Sequence, residues 1–231
     1  MGNLNKLEVV CASIQKWELM YHRVVHSVEL IAVSKTRSAD EIRTLYDAGQ
    51  RRFGENYLQE ALDKIEILSD CAIDWHFIGA IQSRKAAQIA EKFNWVHSVD
   101  RFKVANKLNQ HASSETPLNV LIQVNLEGEA SKGGVAPDEL VELAGQIDSL
   151  DNLRFRGLMF MPKIHTDLSV QREIFQQARE LFEDLKQSFP NLDQISMGMS
   201  GDMQAAIAEG ATMVRVGTAL FGPREQKQAG E

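Results

Sequence analysis

A single (β/α)8 barrel of the TIM type, preceded by one extra helix, is the fold class that the sequence predicts. Three observations predict it. Eight short apolar runs alternate with amphipathic stretches, a pattern that calls for parallel strands with helices outside the sheet. The chain has 231 residues, near the ~250 usual for such a barrel. An open doubly wound sheet competes, but no glycine-rich dinucleotide turn follows the first strand, and eight strands favour closure. One domain is therefore expected, with a helix in residues 1–27 and the barrel in 28–224.

The elements follow in order. Leu4, Leu7, Val10, Ile14, Trp17, Tyr21 and Val24 recur at helical spacing, so the chain opens on a long helix with one buried face, placed to cover one end of the barrel. "LIAVSK" (30–35) is a bounded, β-branched run and reads as the first strand. Ser38 with Glu41 three residues later forms a capping box, opening a helix that stops near Gly49. "RRFGEN" (51–56) is the second strand, and Leu58, Leu62, Ile65 and Leu68 mark the buried face of the next helix. "DWHFIGA" (74–80), "WVHSVD" (95–100) and "NVLIQVN" (119–125) are strands three to five, each followed by an apolar-striped helix. Pro137 suits the first turn of the helix after strand five. "FRGLMF" (155–160) precedes the most regular stripe in the chain, Val170 to Phe189. "QISMGMS" (194–200) and "TMVRVGTALFG" (212–222) complete the eight, separated by a short helix ending at Gly210.

Composition narrows the functions. Hydrophobic residues make up 44% and charged residues 25%, with a formal net charge of −7. That charge argues against nucleic acid or an anionic membrane as a partner. Two cysteines, Cys11 and Cys71, lie outside any CxxC or Cys/His cluster, which suits a reducing compartment without disulfides or structural zinc. The N-terminus carries polar residues at every turn, so it is neither a signal peptide nor a span. A cytoplasmic protein is expected.

Function in this fold belongs to the C-terminal ends of the strands. Those ends read Lys35, Glu55 with Asn56, His76 to Gln82, Asp100, Asn125, Met161, Ser200 with Gly201, and Gly217 with Thr218. One amine with several amides and hydroxyls is not the paired-acid set of a glycosidase. No Ser/His/Asp arrangement, HExxH motif or histidine cluster stands out, and no metal is expected. Ser200 and Gly201 precede a helix, while Gly217 allows close backbone approach and Thr218 adds a hydroxyl. Each alone is an ordinary cap or turn. Together, after strands seven and eight, they read as a phosphate cup. Arg215 alternates with Val214 and Val216 and so faces away from them; it needs either a barrel carboxylate or a ligand heteroatom. Lys35 ends a buried run, where an ammonium is costly. Opposite a phosphate cup, its amine suits either a Schiff base with a carbonyl substrate, as in class I aldolases, or pyridoxal 5′-phosphate held as an internal aldimine.

The motifs "AVSKT", "FGENYLQEALDKI", "WHFIGAIQSRK" and "SMGMSGDMQAAIAEGATMVRVGTALFG" resemble those of the pyridoxal phosphate homeostasis proteins, whose barrel is similar to the N-terminal domain of alanine racemase. The likeness runs from about residue 28 to residue 224 in unbroken motif order. It implies that Lys35 carries the cofactor and that Ser200, Gly201, Gly217 and Thr218, with nearby amides, hold its phosphate. It places Arg215 against the pyridine nitrogen, Asn56 beside the ring, and His76 in the pocket lining. A guanidinium does not protonate that nitrogen, so carbanion chemistry would be muted. Alanine racemases add a β-domain that supplies a tyrosine acid/base; the few residues after "ALFG" are expected to leave no such domain here. The resemblance thus implies a non-catalytic, monomeric binding protein in vitamin B6 homeostasis, with apo forms of pyridoxal-phosphate enzymes as recipients. A slow amino-acid racemase and a Schiff-base aldolase are the competing readings. Family members often carry a second lysine just after the first, where this chain has Arg37. Lys132 and the loop residue His165 read as solvated and without a role.

Overall fold

The computed structural model describes residues 2–129 and 133–223; Lys132 and residue 224 lie outside them. Along the chain run α1 (Gly2–Met20), β1 (Glu29–Val33), α2 (Ala39–Asp47), β2 (Arg52–Glu55), α3 (Leu58–Ile67), β3 (Asp74–Phe77), α4 (Ala86–Lys92), β4 (Trp95–Val99) and α5 (Phe102–His111). Then follow β5 (Leu118–Val124), α6 (Leu140–Asp148), β6 (Leu153–Phe160), α7 (Leu168–Ser188), β7 (Gln194–Ser196), α8 (Met203–Ala208), β8 (Met213–Val216) and α9 (Thr218–Phe221). The strands close into a barrel in sequence order, all parallel, with β8 paired to β1. No helix of the described residues is long and apolar enough to cross a membrane.

Strand alternation divides the core in two. Outward-facing residues such as Leu30, Ala32, Phe53 and Val214 join the helices in one large apolar layer. Inside, Ile31, Trp95, Leu121, Met159 and Met213 form a small cluster. The interior also holds polar side chains, with His76, His97, Ser196 and Arg215 all buried.

Three elements differ from the sequence reading. The first helix stops at Met20, and Val24 is exposed beyond it, because Glu18 turns inward and accepts the amide protons of His26 and Val28. That helix packs against α2, α8 and α9, flanking the seam between β8 and β1 instead of covering one end. The last strand is only Met213–Val216; the apolar "TALF" that follows is helical, with Gly217 at its N-cap. In α3 the buried set is Leu58, Ala61 and Lys64, with Leu68 just beyond, whereas Leu62 and Ile65 are half-buried. A lysine occupies the middle of the buried face. The capping box at Ser38 is present in full.

In β6 the register against β5 slips by one residue between Phe155 and Gly157. Gly157 has φ +150°, and this bulge changes which residues face inward. Leu158 and Phe160 point to the helices, so Met159 points into the barrel.

Candidate functional site

One cavity, of about 290 Å³, opens at the C-terminal end of the barrel. Of the eight site residues read from sequence, seven line it: Lys35, Asn56, Ser200, Gly201, Arg215, Gly217 and Thr218. Lys35 stands two residues beyond the end of β1, half-buried, in phase with the inward-facing Ile31 and Val33. Asn56 follows β2 directly, and its Oδ1 is buried without a hydrogen-bond partner. Across the cavity the loops after β7 and β8 meet, the Ala219 amide donating to Ser200 Oγ at 3.4 Å. Thr218 begins α9 at this rim. Apolar walls come from Ile78, Met159 and Met199. An amine, an orphaned amide oxygen, a guanidinium and a hydroxyl-bearing rim make a donor set that fits a small, flat, phosphorylated aldehyde.

Arg215 is 4% exposed and has no carboxylate partner among the described residues. Its Nη1 donates to Ser196 Oγ at 2.7 Å and its Nη2 to the Phe160 carbonyl at 2.9 Å. The barrel-carboxylate alternative for this arginine therefore fails. Burial pulls its pKa down to about 10, opposed by the charge of Asp202, and it stays cationic at neutral pH.

His76 does not line the cavity, which corrects the sequence reading. It is fully buried one layer below, stacked on Trp95, and Ile78 takes the lining position two residues on. A chain of contacts runs from the cavity through it: Arg215 to Ser196, Ser196 Oγ to His97 Nδ1 at 2.9 Å, and His97 Nε2 to His76 Nδ1 at 2.8 Å. Beyond, His76 Nε2 stands 3.5 Å from Asp74. His76 Nε2 is buried there without a hydrogen-bond partner, while Arg215, which can only donate, fixes Ser196 Oγ as an acceptor at the cavity end of this chain.

Burial holds both rings below the ordinary histidine value of 6.5, with neighbouring His76 and Arg215 lowering His97 further. Both are thus neutral in the folded protein and protonatable in the unfolded chain. Stability from this source is complete above about pH 6.5 and falls as pH drops toward the folded values, by up to ~1.4 kcal/mol per pH unit per ring. Urea unfolding at pH 7.5, 6.5 and 5.5 checks this, and His97→Gln is expected to flatten the loss by about one proton's worth.

Several residues escaped the sequence reading. Asp202 caps the short turn before α8, accepts the Met199 amide, and lines the cavity; burial raises its carboxyl, opposed by that bond and by Arg215. Its place before a helix was the available signal. Met161, Ile164 and His165 also line the mouth, so the loop after β6 is part of the cavity wall and His165 is not a bystander. Glu127 holds that loop, accepting the Lys163 amide. Arg37 points away, donating to the carbonyls of Gly222 and Pro223 and resting over the Phe221 ring, so it ties the β1–α2 turn to α9. Lys64, buried on α3, pairs with Glu55 at 2.8 Å, and burial pushes the Glu55 carboxyl up against the pull of Lys64 and Ser34. None of the three tyrosines lines the cavity.

Comparison with known proteins shows the family and the fold. Residues 12–225 match the family model for the alanine racemase N-terminal domain. The chain is 54% identical over 200 residues to a pyridoxal phosphate homeostasis protein of Pseudomonas aeruginosa, covering 86% of each. It is 49% identical over 224 residues to one of Vibrio alginolyticus, covering 95% of this chain and 96% of that protein. PipY of Synechococcus elongatus, solved with PLP bound, superposes with a TM-score of 0.81 at 39% identity, covering 90% of this chain and all of the other.

Proposed function

The chain belongs to the pyridoxal phosphate homeostasis protein family, and on that premise we propose that it holds pyridoxal 5′-phosphate as a Schiff base on Lys35. Its role is then to store or hand on the cofactor inside the cell, as part of vitamin B6 homeostasis. One observation carries the reading: Lys35, Arg215 and the Ser200/Thr218 rim converge on a single cavity. Lys35 would hold the cofactor at its aldehyde carbon through a C=N bond, with one water released. Ser200, Gly201, Gly217 and Thr218 would hold the phosphate, with the first turn of α9 favouring the anion. Asn56 would lie beside the ring. Arg215 would donate to the ring nitrogen while keeping its own proton, since its pKa stays near 10.

When bound, the cofactor supplies an aldehyde for exchange with amines and a ring that withdraws electrons. Arg215 limits the second property, and no tyrosine lines the cavity to serve as an acid/base. A carrier acting as a monomer in the cytoplasm, with apo enzymes as recipients, fits this site better than a racemase.

The test is direct. Purified protein is expected to show visible cofactor absorbance, and borohydride is expected to fix a pyridoxyl group on the peptide holding Lys35; Lys35→Ala abolishes both. A colourless protein after incubation with the cofactor, or a label on another lysine, overturns the proposal. Conversion of L- to D-amino acids faster than by free cofactor would favour the racemase instead.

A further inference from the structure

We propose that Lys64 is a positioning residue for Lys35: from the outer side of the barrel it locks the two strand ends that carry Lys35 and Asn56 into the cavity. The inference rests on the reading of Lys35 as the cofactor-holding amine. Lys64 is 5% exposed, and its ammonium has three acceptors for three protons. These are the Ser34 carbonyl at 2.8 Å, Glu55 Oε1 at 2.8 Å and Glu60 Oε1.

The acceptors sit at telling positions. Ser34 directly precedes Lys35, and Glu55 directly precedes Asn56. Strand alternation turns Ser34 and Glu55 outward toward α3, so that the next residue in each chain turns inward. Ser34 Oγ donates to the same Glu55 oxygen at 2.6 Å, which stitches the two strand ends side chain to side chain. On the other side of Lys35, the Thr36 amide donates to Glu60. Thr36 has φ +65°, a left-handed conformation that a β-branched residue keeps only where its surroundings hold it. Residues 34 and 36 are thus both gripped through one ammonium, and Lys35 between them inherits its direction. A buried ion pair is a weak source of stability against an apolar isostere. Its geometry here serves orientation.

The test compares two ligands on the full-length chain. Pyridoxal phosphate reads both the amine and the phosphate cup; pyridoxine 5′-phosphate, an alcohol that forms no Schiff base, reads the cup alone. Lys64→Met combined with Glu55→Gln removes the two buried charges; Glu60, which also loses the ammonium, is partly exposed and solvated. This variant is expected to bind pyridoxine phosphate within about twofold of the parent, yet to form the Lys35 Schiff base at least about tenfold more slowly. Schiff-base formation at the parental rate overturns the proposal, and so does a parallel loss for both ligands, which marks a purely structural role. Should the double variant fail to fold, Glu60→Ala decides, since it removes the acceptor that grips Thr36 at a partly exposed site. A rate lowered about threefold or more supports positioning, and an unchanged rate overturns it. A parent chain that traps no cofactor on Lys35 fails at the earlier step, and that result is read in the parent alone.

Discussion

Gly157→Ala is expected to lower folding stability by about 4 kcal/mol or to prevent folding. A Cβ at this position would stand 1.9 Å from the Gln194 carbonyl oxygen, part of the β7 backbone, and 3.1 Å from Phe182. Neither neighbour is the free end of a flexible chain. The φ of +150° adds strain for any residue with a side chain. Relief requires moving β6 away from β7 at the bulge, and the bulge is what turns Met159 toward the cavity and presents the Phe160 carbonyl to Arg215. Surviving folded protein is therefore expected to bind cofactor more weakly as well. Urea unfolding midpoints check the first effect and cofactor titration the second. Gly145→Ala in α6 is the control: nothing lies within 4 Å of its Cβ, and the helix should gain about 0.5–1 kcal/mol. A Gly157→Ala chain as stable as the parent would refute the role given to the bulge.

The sequence made the strand ends legible because the barrel imposes a strict rule: polar residues at the C-terminal ends of buried runs share one mouth. Lys35, Asn56, Ser200 and Thr218 were found that way and line one cavity. The rule has no depth, which explains His76. It lies within its strand, level with Gly54, whereas the lining position is level with Asn56 one layer higher and belongs to Ile78. Periodicity also hides charge. Lys64 interrupts an apolar face, and with Glu60 four residues upstream it has the spacing of a solvated helix pair, because the two partners that bury it lie nine and thirty residues upstream. In "VRVGTALFG" a mostly apolar run reads as strand, and only the glycine hints that a helix begins there. The bulge at Gly157 leaves as little trace: one glycine inside a strand is its entire signature.

The second large effect concerns Arg215. Arg215→Met is expected to leave folding stability unchanged or raise it, while weakening cofactor binding about 10–100-fold. The first half follows from burial. The guanidinium is desolvated inside the barrel and meets only a hydroxyl and a carbonyl, not a carboxylate, and burial already drags its pKa to about 10. Replacing such a charge by an apolar side chain of similar length is often neutral or stabilising. The second half follows from the proposed role, since a hydrogen bond from a charged donor contributes ~1.5–3 kcal/mol, or about one to two decades in affinity. His97 supplies an independent reading. Its ring is held low partly by the charge of Arg215, so its pKa should rise in the variant, and imidazole NMR resolves that shift. Thermal melting, cofactor titration and the His97 titration together separate the two roles. A variant that melts far below the parent but binds cofactor equally well would make Arg215 a structural residue. If the variant keeps its stability and loses the cofactor, the charge at the base of the cavity serves the ligand and not the fold.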